Sequence, residues 1–467
     1  MIAYFFPPEG NAGSYRPLRF VRSLSQMEWD VCIVSADPYR YERYDRGLLS
    51  LVPQEIHVSR VRGRNIWHAI QAWRGQRLQS MLSKGSSGLS EKVSAIHNAP
   101  FRSRVREVLR KVEACYYLPD MARPWIRPAV KSAVRLCASR HSNVIWATVG
   151  PLSSGLVALQ VSEKTGIPYV LDFRDPWGLN YYSTELIRPK LVSHFFRRTM
   201  YRLLQRAQAV VFLFDTVAEC FQRVYPGAVD DSRIHIIPNG YDGAIDDFET
   251  PQGERCTILY TGTLTTYRYD TFLQALSLLK KTSPFQANQI HVMFVGEGTV
   301  ALQDKVATLG LSDIVTMRPS TSYAEILCLQ KNAHAFLILG RESNRKGHEL
   351  VAGAKLFGYL KARRPIIGIL PHDETRKILD HVGVSTLADV DSPNEILRVI
   401  QQVFDSWEAG TLDALLPSGA TCENYSAESQ TLALIRALNG EMAETPFRSG
   451  TVSPPPSLAE DFLPFNF

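Results

Sequence analysis

Gly353-Ala-Lys-Leu-Phe-Gly-Tyr-Leu-Lys-Ala-Arg-Arg-Pro-Ile-Ile-Gly-Ile-Leu370 reads as a helix running straight into a buried strand. Leu356, Phe357 and Leu360 recur at helical spacing, Pro365 cannot continue the helix, and Ile366–Leu370 is an apolar run of strand length. Gly353 is expected to open the helix, which leaves the first amides free with Lys355 in the first turn. Free amides and a lysine at a helix N-terminus form a site for an anion, usually a phosphate. A surface helix with a chance lysine has the same spacing, and periodicity alone leaves both readings open.

Outward from this stretch the same unit repeats. Ile258–Thr261 is a predicted strand, Gly262-Thr263-Leu264 its loop, and Phe272, Leu273, Leu276 and Leu279 mark the following helix. His291–Val295 is another strand, ending in Gly296-Glu297-Gly298, and Ala333–Leu339 is the last strand before the opening stretch. At the start of the chain, Met1–Phe6 is half a strand, Pro7–Gly13 a loop, and Leu18, Phe20, Val21 and Leu24 a helix, before a strand at Val31–Ser35. The rhythm resumes at Val144–Thr148, Pro168–Phe173 and Ala209–Phe214. Strand, glycine loop, helix, strand is the βαβ unit of a Rossmann-type sheet. The fold class is therefore α/β, with two such domains expected at 1–238 and 239–440, and a helix near 426–438 returning to the first.

The opening stretch resembles the K-L-F-E-Y-L-A-A-G-R-P-I-L segment of family-4 glycosyltransferases of the two-Rossmann-domain (GT-B) type. Other motifs follow in that family's order. Phe6-Pro-Pro-Glu-Gly-Asn-Ala-Gly13 is similar to its acceptor loop, Asp172-Phe-Arg-Asp-Pro-Trp177 to its D-x-R-D-x-W segment, and Ile237-Pro-Asn-Gly-Tyr-Asp242 to its interdomain connection. Tyr260-Thr-Gly-Thr-Leu264 resembles its donor loop, and Val295-Gly-Glu-Gly298 its V-G-x-G turn. The resemblance implies two domains facing a cleft and a transferase that takes a nucleotide-diphosphate sugar. It also implies retention of anomeric configuration and no cofactor or obligatory metal.

Residue by residue, the resemblance implies that Gly262, Thr263, Arg268, Glu297, Lys355, Leu356 and Phe357 bind the donor. Gly10, Asn11, Gly13 and Arg16 would face the acceptor, with Arg16 and the neighbouring Arg19 placed to pair with a phosphate on it. Asp175 and Arg174 are the catalytic candidates, lying beyond a strand's C-terminal end where open α/β sheets place ligands. An internal ion pair bracing the loop is the alternative for these two. The pattern is broken at Gly358, where the family usually has a ribose-binding Glu, and at Leu350, where an earlier acid is usual. Glu349 is one position off.

Composition sets the remaining bounds. The chain has 467 residues, 45% apolar and 21% charged, as in an ordinary globular protein. No apolar run approaches the roughly 20 residues that span a bilayer. The opening residues lack a signal peptide's basic start, and the first strand lacks its usual lead-in, so the true start is expected a few residues upstream. Seven scattered cysteines with no Cys-x-x-Cys pair point to a reducing compartment, the cytoplasm by default, without disulfide framework or zinc. Residues 60–111 carry twelve Lys and Arg against Glu91 and Glu107, while the whole chain is only +6. This basic helical insertion, placed near 60–125, has Trp67, Ile70, Trp73, Leu78 and Met81 at roughly helical spacing, the pattern of a contact with an anionic membrane surface. A solvated face over the sheet is the alternative, and nucleic acid finds no support in the surrounding motifs. The Pro- and Ser-rich tail, 441–467, reads as disordered.

The expectation is a glycosyltransferase acting on a lipid-linked or polysaccharide acceptor, cytoplasmic or on the inner membrane face, in surface or exopolysaccharide synthesis. Two other classes stay open. One is a catalytically degenerate protein that binds a glycan or partner. The other is a nucleotide-sugar epimerase, for which the sequence offers no clear set of His and carboxylates.

Overall fold

The computed structural model describes residues 1–40, 44–63, 119–175, 190–341, 352–353 and 355–443. The basic stretch at 64–118, the residues 176–189 after Asp175, Glu349, Leu350 and the tail from 444 lie outside the described residues.

Two parallel sheets form the chain. The first contains β1 (Cys32–Ala36), β2 (His57–Val61), β3 (Ile145–Val149), β4 (Tyr169–Phe173), β5 (Ala209–Phe212) and β6 (Ile234–Ile236). Its pairs are β2 with β1, and β3 through β6 in order. The opening residues join the two parts. Ile2 bridges both Val34 and Ala147, with Ala3 N–H donating to Val34 O at 3.0 Å and Ile2 N–H to Trp146 O at 2.7 Å. The expected first strand is thus a bridging segment at the centre of the sheet. Every residue of β3, β4 and β5 is buried, which explains why they read as unbroken apolar runs rather than alternating ones.

The second sheet contains β7 (Cys256–Thr261), β8 (Ile290–Val295), β9 (Val315–Arg318), β10 (Ala335–Leu339), β11 (Ile366–Ile369) and β12 (Leu387–Ala388). Its order is β9-β8-β7-β10-β11-β12, the doubly wound Rossmann order. In each sheet the winding reverses once, between the 1–4 segment and β3 in the first and between β7 and β10 in the second. Those reversals open the crevices at which such sheets take ligands.

The connection at 237–242 is gripped by three arginines of the Tyr15–Gln26 helix, at 16, 19 and 22, so that they share a face. Arg16 is buried and uses all five of its donors. Nε reaches Asp172 Oδ2 at 3.0 Å and Nη2 reaches Asp172 Oδ1 at 2.8 Å and Ile237 O at 2.9 Å, while Nη1 reaches Pro238 O at 2.9 Å and Asn239 Oδ1 at 3.4 Å. Arg19 Nη1 donates to Gly240 O, and Arg22 pairs with Asp242 at 2.9 Å. The expectation that Arg16 faces an acceptor phosphate is corrected here, because it has no donor left to offer one.

Gly240 is a point of close approach. A Cβ there would lie 2.2 Å from Tyr425 O, where the chain leads into the Ala427–Asn439 helix. That helix does return to the first domain, burying Leu434, Ala437 and Leu438 with Phe20, Trp146 and Val211. By packing it belongs to the first domain, although the boundary at 239 assigned it to the second. The domains also meet at Glu374, buried and bonded to Thr216 Oγ1 and to Lys377 Nζ at 2.8 Å. One apolar cluster containing Phe214, Val217, Tyr359 and Ile378 runs through both.

Removing one partner of the Arg16–Asp172 pair strands a buried charge, so Asp172→Ala should cost about 3–5 kcal/mol. Arg22→Ala breaks a half-exposed pair and should cost within about 1 kcal/mol. Chemical denaturation of both variants checks the contrast, and equal losses would refute the assignment of Arg16 as the anchor.

Candidate functional site

The crevice of the second sheet is lined by the ends of β7, β8 and β10 and by the Lys355–Ala362 helix. β7 ends at Thr261, and Gly262 follows with φ +119°. Gly296, directly after β8, has φ +148°, and a Cβ on it would lie 2.1 Å from Gly262 O. Two glycine turns therefore stack in contact, joined by Gly262 N–H to Val295 O at 2.8 Å and Leu264 N–H to Glu297 O at 2.9 Å. Side chains at either position would close this floor.

The helix is fixed to the floor by Tyr359. Its hydroxyl accepts from Thr261 N–H at 2.8 Å and lies 3.0 Å from Thr261 Oγ1, while its ring stacks on Phe336 at 4.2 Å. The first described helical residue is Lys355 rather than Gly353, whose carbonyl accepts from Leu356 N–H at 3.1 Å in the lead-in turn.

Lys355 Nζ lies over Tyr260 at 3.7 Å and Tyr267 at 4.4 Å, and 3.2 Å from where a Cβ on Gly262 would stand. The ammonium is buried and donates to no acceptor. Burial, and secondarily the nearby Arg341 charge, push its pKa down to about 7. Arg341 stands at the end of β10, its Nε 3.4 Å from Tyr267 Oη. One buried amine on two tyrosine faces, with Arg341 nearby, thus lies over a glycine floor with no carboxylate bonded to the amine among the described residues. A diphosphate is the complement of that charge, and the tyrosine faces hold the amine in the meantime.

The structure brings Gly262 and Lys355 together as the sequence suggested. Thr263 is exposed and its carbonyl accepts from Tyr260 Oη at 2.9 Å; Glu297 is exposed on the adjoining turn. Arg268 is turned away, its guanidinium bonded to Asp391. Leu356 and Phe357 are core side chains, the Phe357 ring lying 5.8 Å from that of Tyr425. Arg341, Tyr260 and Tyr267 were missed. The signal for Arg341 was its place one residue beyond the Gly340 that follows β10.

Gly358 is half-buried, and a Cβ on it would meet nothing within 4 Å. Beyond β11, Asp373 caps the Glu374–His381 helix by accepting from Arg376 N–H at 2.9 Å, and burial pushes its pKa up to about 6.

Across the first sheet's crevice, Arg174 follows β4 and donates through Nη2 to Gly150 O at 2.7 Å. It lies 5.5 Å from the Phe5 ring and directly on Gly13, where a Cβ would come within 2.0 Å of Nη1. Asp175 Oδ2 is 3.7 Å from Arg174 Nε, a loose pair in which both are partly exposed. Gly10 and Asn11 are half-buried on the same loop, with Asn11 O accepting from Ser14 N–H at 3.0 Å.

Known proteins share this fold. The chain matches the Anabaena protein Alr3699/HepE, solved with UDP and glucose, at 12% identity and TM-score 0.54, covering 94% of this chain and 98% of that one. A glycosyltransferase from Rickettsia africae matches at 11% and 0.57, covering 94% and 97%. The fold is GT-B. Within this GT-B chain, residues 89–244 match the model of glycosyltransferase family 4, so the likeness read from the motifs is borne out. A lipopolysaccharide outer core galactosyltransferase, WaaB, also shares the fold, at 13% identity and TM-score 0.53 over 94% of this chain and 99% of that one. No curated protein matches in sequence. Among the described residues no helix is long and apolar enough to cross a membrane.

Because the Lys355 charge is buried without an anion, Lys355→Met should stabilise the ligand-free protein by roughly 1–4 kcal/mol. The gain depends on pH. The folded amine titrates near 7 and the unfolded one near 10.5, so the cost of burying the charge is full below pH 7. It is relieved as pH rises from 7 to 10.5, where the unfolded chain holds the extra proton. Melting curves should show the largest advantage of the variant at pH 6 and a small one at pH 10.

Proposed function

We propose that this protein is a glycosyltransferase that binds the diphosphate of a nucleotide sugar in the Lys355 socket and transfers the sugar to an acceptor held on the first domain. The observation that carries it is the buried, unpartnered Lys355 amine beside Arg341 over the Gly262–Gly296 floor. Stabilising the departing diphosphate with fixed cations and helix amides is the largest contribution such a cleft can make, with positioning next. The reading includes no cofactor or metal, as the family likeness implies. Retention of anomeric configuration follows from the family likeness. Asp175, partly exposed at the first sheet's crevice, is the side chain assigned to touch the reacting sugar.

A lipid-linked or polysaccharide acceptor, met at the cytoplasmic membrane face through the basic 60–111 stretch, fits the composition. Uridine nucleotides come first among donors because the Anabaena relative is solved with UDP and glucose. Gly358 favours one second reading, a protein with a weakened donor grip that serves as a binding module.

A thermal-shift panel of UDP, GDP, ADP and their sugar conjugates tests the first reading. A ligand at about 100 times its Kd should stabilise the fold by about 2.7 kcal/mol, and silence across the panel at saturating concentrations would reject it. Gly358→Glu then separates the two readings. A Cβ there meets nothing within 4 Å, and replacing a helical glycine should itself add about 0.5–1 kcal/mol. A tenfold or greater gain in donor affinity, about 1.4 kcal/mol, would identify a lost contact. An unchanged affinity would show that the ribose is held elsewhere.

A further inference from the structure

We propose that Arg174 is the receptor for an oxyanion on the acceptor, so that the protein takes an acidic acceptor, one carrying a carboxylate or a phosphate beside the hydroxyl to be glycosylated. The inference rests on the transferase reading for the word acceptor, but the anion site stands on its own geometry.

Arg174 sits at the winding reversal of the first sheet, between the loop after residues 1–4 and Gly150 after β3. Its side chain is 13% exposed, and one interaction holds it well, Nη2 to Gly150 O at 2.7 Å. Nε is buried without a hydrogen-bond partner, Asp175 being 3.7 Å away. A guanidinium has five donors in a planar fork, and among the described residues the bond to Gly150 O is the one hydrogen bond this fork makes. Ser14, one residue after the Gly13 on which the fork lies, is fully buried, and its hydroxyl has no partner among the described residues. A fork with donors to spare is complementary to a carboxylate or phosphate.

Of the other basic groups, Arg16 is saturated by Asp172 and the connection, while Arg19 donates through Nη1 to Gly240 O and keeps Nε and Nη2 buried without a partner at the connection rather than on Gly13. The neighbouring Ser153–Thr165 helix start is already occupied, since Asp120 accepts from Ser153 N–H at 2.8 Å and from its Oγ at 2.6 Å. Gly13 sets where the fork lies. A Cβ would fall 2.0 Å from Nη1, and what it meets is the far end of a flexible side chain, so an alanine would move the guanidinium without breaking the fold.

Saturation-transfer NMR on the full chain, with and without UDP, tests this using methyl phosphate, glucuronate and neutral glucose as probes. Wild type should take up an acidic probe in preference to glucose. Glucuronate alone would mark a carboxylate acceptor, methyl phosphate alone a phosphate one. Arg174→Met should weaken the acidic probe roughly tenfold or more while leaving UDP binding within about twofold. Arg174→Lys should recover only part of the loss, and Gly13→Ala should weaken the probe with little change in melting temperature. Lys355→Met should do the reverse, losing UDP and keeping the acidic probe. Equal uptake of all three probes by wild type, or acidic binding that survives Arg174→Met, would overturn the proposal. Failure of UDP alone would count against the transferase reading and leave the anion site standing.

Discussion

The buried pair of Arg16 and Asp172 is the contact on which the two-domain arrangement depends. It ties the first helix to the end of β4, and the same guanidinium holds the carbonyls of Ile237 and Pro238. A buried ion pair is poor evidence for stability, because desolvation offsets much of the attraction. Its value here is register. With every donor spent, the guanidinium admits one placement of the connection, and Gly240 then lets the returning chain at Tyr425 pass against it. The path of the chain between the domains is thereby held to the first helix, while Glu374 and the shared apolar cluster join the domains elsewhere.

What that arrangement presents is a pair of crevices with different chemistry. The second domain offers a buried amine and a guanidinium over bare backbone, a site whose charge is costly until an anion arrives. The first offers a planar fork lying on another glycine. In both, glycine matters because a cation must reach the backbone plane: Gly262 under Lys355, and Gly13 under Arg174. The cost of holding Lys355 dry is offset in part by the faces of Tyr260 and Tyr267, which stabilise a cation without neutralising it. A carboxylate in that place would have satisfied the amine and excluded the ligand.

Much of this was legible in the chain. The strands read clearly because parallel strands buried on both faces are apolar without interruption, and the glycines after β7 and β8 marked their ligand-facing ends. Lys355 with Gly262 came from the same logic. The errors share one cause, that spacing along a chain does not show which partner a side chain finds across it. Arg16 follows a glycine loop as a phosphate ligand would, but Asp172 lies 156 residues away. Arg268 is paired with Asp391, 123 residues on. Leu356 and Phe357 sit within the motif that suggested donor binding, but their side chains fill the core. Arg341 carries no motif at all, and only the strand order places it beside Lys355.

The most direct measurement is calorimetric titration with UDP near pH 7.5 in two buffers of different ionisation enthalpy. Lys355 titrates near 7 when free and must be charged when a diphosphate is bound, so binding should take up a fraction of a proton from the buffer. That uptake should fade toward pH 6 and vanish in Lys355→Met. Tight binding with no proton uptake in wild type, or uptake that persists in the variant, would show that the diphosphate does not occupy the Lys355 socket.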